Sequence, residues 1–147
     1  MRSAFKWYLS LTILLAQVAC VSGPPKPAVS EYVKTESSGF TVERGAGVKY
    51  SLTYTLLKSI GEHPSLKAEF ENPMKNGATL IVEKAIVPDE RTLVVSSARL
   101  PCIVNGQKYN VVLTLYSNGV EVAKQHDKAQ FDVPPSLFDE LDIAVCE

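Results

Sequence analysis

Nine consecutive residues, Val48 to Leu56, alternate apolar and polar without a fault. Val48, Tyr50, Leu52, Tyr54 and Leu56 fall on one side; Lys49, Ser51, Thr53 and Thr55 fall on the other. Successive side chains of an extended chain point to opposite faces, so this pattern buries one clean face only as a β-strand. Wound as a helix, the same five apolar residues would scatter around the whole circumference. The β-branched and aromatic content suits a pleated, half-buried surface. A lone strand is unstable, so the segment commits the chain to a sheet.

The partner strands are legible downstream. Leu66-Lys67-Ala68-Glu69-Phe70-Glu71 alternates and stops at Asn72-Pro73. Asn76-Gly77 signals a turn before Thr79 to Glu83, and Pro88-Asp89 another before Thr92 to Ser96. Asn105-Gly106 precedes the longest run, Lys108 to Tyr116, with Tyr109, Val111, Leu113 and Leu115 on one face. Ser117-Asn118-Gly119 then turns the chain into Val120 to Phe131, and Asn-Gly between two alternating runs is a strong hairpin signal. An earlier piece, Glu31 to Thr35 with Phe40 to Glu43, predicts a first strand broken at Ser37-Ser38-Gly39. About seven strands at this spacing predict an all-β fold, an antiparallel β-sandwich or small barrel. The one helical signal is Ser136 to Leu141, after Pro134-Pro135, with Ser136 as the expected cap and Asp139 as the capping-box acid. Asp142 to Glu147 is expected to return as an extended tail.

The first twenty residues have a different character. Met1-Arg2 and Lys6 are basic, Trp7 to Val18 is mostly apolar, and Ala19-Cys20 closes the run. A basic start, a short apolar run and a small-residue exit form the layout of an export signal, and the run is too short to span a membrane. Val21 to Ala28 carries three prolines, which exclude a helix or an interior strand and predict a tether. The expected organisation is a signal over 1–19, a tether over 20–29 and one β-sandwich domain over 30–147. Removing the signal, with Arg2 and Lys6 and no acid, takes the formal net charge from −1 to −3. This is no electrostatic footprint for nucleic acid, and no basic amphipathic helix is present to lie on a membrane.

Export decides how the three cysteines read. Cys20 sits at the signal boundary and is either modified or removed there. Cys102 and Cys146 remain, and in an oxidising compartment the economical reading is a disulfide, the alternative being two separate buried thiols. Closing a loop of about 45 residues is worth roughly 4 kcal/mol in the chain-entropy model. It would bolt the tail onto the region around Pro101-Cys102.

Two resemblances follow from these residues. Gln17-Val18-Ala19-Cys20 resembles a bacterial lipobox, with Gln17 where that family prefers leucine. The resemblance implies cleavage before Cys20, acylation of that cysteine and, with Val21 following it, an outer-membrane lipoprotein. The other reading of the same residues is an ordinary signal cleaved near Ala19 or Cys20, giving a soluble periplasmic or secreted protein. Tyr109 to Tyr116, after Asn105-Gly106, is similar to the penultimate strand of immunoglobulin and fibronectin-III domains, which place a tyrosine near its start. That likeness implies an Ig-like architecture.

Catalytic chemistry is hard to find. His63 precedes Pro64 in a turn, and His126 lies in the last strand beside Asp127, whose side chain should point to the opposite face. Two distant histidines make no zinc site, and Gly45-Ala46-Gly47 lacks the pattern of a phosphate loop. Glu69 and Glu71 share an outward face and read as solvated acids rather than a glycosidase pair. Neither a metal nor a cofactor is expected. Val112 and Tyr116, apolar or aromatic on the outward face of their strand, are either covered by a neighbour or form a candidate contact surface. The expected function is a non-catalytic envelope binding or accessory lipoprotein with a protein partner, held to the membrane by a lipid at Cys20. A soluble inhibitor, chaperone or immunity-type binder is the alternative, and an envelope enzyme the third reading.

Overall fold

The computed structural model describes residues 30–45 and 47–147; the expected signal, tether and Cys20 lie outside the described residues. Seven strands and one short helix follow in order: β1 (Val33–Glu43), β2 (Gly47–Leu56), β3 (Ser65–Phe70), β4 (Leu80–Ala85), β5 (Thr92–Ser96), β6 (Lys108–Ser117), β7 (Val120–Gln130) and α1 (Ser136–Leu141). They form two antiparallel sheets, β1-β2-β5 and β4-β3-β6-β7, packed as a sandwich. The chain crosses between sheets after β2, after β4 and after β5, while β1–β2, β3–β4 and β6–β7 pair as neighbours within a sheet.

The β2 alternation does what its pattern demands: Val48, Tyr50, Leu52, Tyr54 and Leu56 are all buried. Facing them from the other sheet are Leu66, Ala68 and Phe70 of β3 and Tyr109, Val111, Leu113 and Leu115 of β6. Aromatic rings fill one end of this core. Tyr50 stacks on Phe70 at 5.0 Å and meets Tyr109 edge-on at 6.2 Å. Phe131 meets Phe40 and Phe138 edge-on at 5.5 and 5.7 Å. Offset and edge-to-face pairs at these separations add to the burial of the rings.

Three local expectations are corrected. β1 is one continuous strand, and the predicted break is a bulge between Thr35 and Ser37. The small polar residues there face the edge of β7 instead of the apolar core, so polarity does not end the strand. Ser136 does not cap α1: the N-cap is Pro135 in a right-handed conformation, with no side-chain cap bond, so Asp139 completes no capping box. The backbone closes this end instead, through Leu137 N–H to Pro134 and Phe138 N–H to Pro135. Glu71 lies just past β3, where its Oε2 accepts from the Asn110 backbone and side-chain amides at 2.8 and 2.7 Å.

Cys102 and Cys146 are disulfide-bonded, with Cα atoms 5.0 Å apart across a sequence separation of 44. A parallel bridge between Ile103 and Val145 supports the same junction. The helix ends at Asp142, whose left-handed conformation (φ 56°) returns the chain so that Ile143 N–H reaches the Phe138 carbonyl at 2.9 Å. Phe138 and Ile143 are thereby driven into the end of the core.

Candidate functional site at the loop end of the sandwich

Three connections gather at one end of the sandwich: 57–64 between β2 and β3, 86–91 between β4 and β5, and the turn at Asn118-Gly119. The turn has positive φ at both residues, 49° and 76°, as a tight type I′ hairpin requires. It is fastened to the first loop by Asn118 N–H to the Glu62 carbonyl at 3.0 Å and by Ser117 Oγ to the same carbonyl at 3.2 Å. Gly61 makes that approach possible. Its φ is 108°, and a Cβ there would lie 2.5 Å from Ser117 Oγ. The 57–64 and 86–91 loops are joined by Ile86 N–H to the Pro64 carbonyl at 2.8 Å.

Between these two loops lies a pocket of about 650 Å³, within the range of ligand-binding clefts. Leu56, Ile60 and Ile86 are buried and form its floor. Val87 stands 65% exposed at its edge. Lys58, Glu62, His63, Asp89 and Arg91 supply a rim of both charges. Part of the rim is already committed: Lys58 Nζ pairs with Glu31 at 2.6 Å, which holds its ammonium above the usual range. Glu90 accepts from Val87 N–H at 3.1 Å and lies 3.8 Å from Lys84. Arg91 is exposed and has no salt bridge among the described residues. Two wall residues, His63 and Asp89, hold positive φ of 43° and 67°, a conformation sparsely populated outside glycine. The sequence sets His63 in a turn before Pro64. It is exposed, but it also lines this pocket.

The residues expected to form a contact surface lie elsewhere. Val112 and Tyr116 point outward from β6, half-buried, in the middle of the four-stranded sheet. Register places Val112 between Glu69 and His126, and Tyr116 between Ser65 and Glu121. Thr114, between them on the same face, is buried, flanked in register by Lys67 and Lys124. Lys67 pairs with Glu69 at 3.1 Å, and that carboxylate raises its pKa. This face is a charged lattice with two half-covered apolar side chains in it. His126 is exposed there, while Asp127 faces β1 and accepts from Thr35 Oγ1 at 2.8 Å. The strand thus separates the two residues, as its period requires.

The sequence does not show the pocket because its floor is built from isolated residues, Ile60 and Ile86, of two loops distant in sequence. The available signal was the pair of apolar loops Leu56-Leu57 and Ile86-Val87-Pro88 beside turn residues. Compared with known protein families and with curated proteins, the chain matches none.

Proposed function

We propose that this domain is a non-catalytic binding module of the cell envelope, carried at the outer membrane by a lipid on Cys20, with immunoglobulin- or fibronectin-III-like architecture. Two features support the architecture. The three-plus-four strand arrangement places the penultimate strand beside the third. The Tyr109 hydroxyl, at the start of β6, accepts from Val104 N–H at 3.0 Å and donates to its carbonyl at 3.4 Å. A tyrosine that opens the penultimate strand and bonds to backbone a few residues upstream is a hallmark of those sandwiches.

The observation that carries the binding reading is the pocket between the fastened loops. Immunoglobulin-like variable domains bind through loops gathered at one end of the sandwich. Here the loops are tied to one another by backbone hydrogen bonds, so little ordering cost opposes binding. An apolar floor under a rim of mixed charge suits the anchor side chain of a protein partner. The Gln17 position keeps a second reading in place: the same binding surface on a soluble periplasmic or secreted protein.

The test is capture by crosslinking in envelopes of the producing cell. Val87→Asp puts a charge at the pocket edge, and Arg91→Glu reverses the unpaired cation; both sites are exposed, so folding should survive. Loss of a crosslinked partner in both variants at unchanged thermal stability is the expected result. Capture of the same partner by wild type and both variants would exclude the loop end as the binding site.

A further inference from the structure

The two flanks of the sandwich are finished differently. On one flank β1 is stitched to β7. Thr35 Oγ1 donates to Asp127 at 2.8 Å, Ser38 Oγ donates to the Lys128 carbonyl at 2.8 Å, and Ser30 N–H donates to Gln125 Oε1 at 3.1 Å. On the other flank β5 and β4 each end their sheet. Hydrogen-bonded pairs alternate along an antiparallel ladder, so register fixes which backbone groups are unused. The bonds Leu56 N–H to Arg91 and Ser97 N–H to Tyr50 turn the odd residues of β5 toward β2, leaving Thr92, Val94 and Ser96 at the free edge. That edge is guarded: Lys84 Nζ reaches across from β4 and donates to the Val94 carbonyl at 3.2 Å. An inward-pointing charge of this kind blunts an edge against pairing.

Lys84 is also the inward-pointing charge of β4 itself, but its ammonium is drawn across to β5 and the outward backbone groups of β4 stay open. Ile86 N–H to the Pro64 carbonyl turns Leu80, Val82 and Lys84 toward β3. The N–H and C=O groups of Ile81, Glu83 and Ala85 therefore face outward, and among the described residues no other element bonds to them. This edge also carries exposed apolar surface: Ile81 is 54% exposed. Leu80 and Val82, pointing inward, are only partly covered.

We propose that the β4 edge is a strand-addition site for an extended segment of a partner protein that carries a basic residue opposite Glu83. A strand laid along β4 satisfies the backbone groups of Ile81, Glu83 and Ala85, the mode by which extended peptides join sheet edges. Its side chains opposite these three point to the outer face. The one facing Ile81 is apolar, and the one facing Glu83 is basic. Glu83 is exposed and in register with Lys67, but Lys67 is committed to Glu69, so the Glu83 carboxylate has no salt bridge among the described residues. The intervening residues of the partner point inward opposite Val82 and Lys84, and the Val82 side chain and the methylene stem of Lys84 make them apolar. A second copy of this chain fits poorly, because antiparallel β4 strands centred on Glu83 would set two carboxylates face to face.

The test uses the mature protein and short peptides with the core Ile-Val-Lys-Val-Ile, which offers the same pattern in both directions. Titration followed by amide NMR should shift and protect the amides of Ile81, Glu83 and Ala85. The matching Ile-Val-Glu-Val-Ile peptide should bind about tenfold more weakly, and Glu83→Lys should invert that preference. N-methylation of the lysine removes the backbone donor that an antiparallel strand offers the Glu83 carbonyl, and should abolish binding. The proposal is overturned by absence of binding at millimolar peptide, by equal affinity for the two charges, or by shifts centred on the loop pocket or β5. A dimer of the protein alone that buries the β4 amides would also overturn it.

Discussion

Tyr50 shows how much one residue decides. Its ring lies at the centre of the aromatic end of the core, and its hydroxyl donates to the Glu71 carbonyl at 2.6 Å. Burial, then the nearby Tyr109 and Glu71, pushes its pKa far above the ordinary value near 10. Burial first, and the Asp127 carboxylate second, does the same to Tyr54, whose hydroxyl has no hydrogen-bond partner among the described residues. The native protein thus holds both phenolic protons when an unfolded chain would release them. The stability this represents is complete below about pH 10 and is lost as pH climbs toward the raised native values. The free energy of unfolding should fall by up to about 1.4 kcal/mol per pH unit for each tyrosine above that point. Urea denaturation between pH 9 and 11 measures the slope, and Tyr50→Phe should make it shallower. The same variant should cost about 1–2 kcal/mol at pH 7, because the buried Glu71 carbonyl loses its donor. Lys84 makes a separate residue-scale prediction. Lys84→Ala frees the Val94 carbonyl and unguards β5, so light scattering should report increased self-association with little loss of stability.

At the scale of elements, legibility followed chemistry. β2 and β6 were plain in the sequence because their inward residues meet an apolar core and must be apolar themselves. β1 was harder to read because Thr35 and Ser38 meet the edge of β7 and need hydrogen-bond partners there, so its inward face carries hydroxyls. The cap of α1 was misread because two prolines set the backbone before Ser136 could act. The disulfide was legible from the expectation of export and the cysteine count, while the loop pocket needed the third dimension. The C-terminal segment gives the prediction proper to this scale. Its contribution is a two-residue plug, Phe138 and Ile143, held by the disulfide and one bridge. Replacing Cys102 and Cys146 together by alanine should lower stability by about 2–4 kcal/mol. Hydrogen exchange should localise the first opening: the Ile103, Ile143 and Cys146 amides should lose protection before those of β2 and β6. Uniform loss across both sheets would instead make the tail an integral part of the folding unit.

At the scale of the whole molecule, what matters is where the chain enters the domain. The chain enters the domain at Ser30, whose backbone is bonded to Gln125 on β7, and β7 and β4 are opposite edges of one sheet. Three strand spacings, about 14 Å, separate the point of entry from the open β4 edge. The ten Cα–Cα steps from Cys20 to Ser30 can reach at most about 36 Å. That reach exceeds the width of the sheet, so a lipid on Cys20 would leave the β4 edge open to a partner whichever flank turns to the bilayer. The prediction at this scale separates anchored from soluble. Radiolabelled palmitate should enter the wild-type protein and be absent from Cys20→Ala, and the variant should move from the membrane pellet to the soluble envelope fraction. Its β-sandwich should be unaffected, because Cys102 and Cys146 still pair with each other and leave no thiol requiring Cys20. Label that persists in Cys20→Ala would remove the anchor, while leaving the pocket and the β4 edge to be judged on their own experiments.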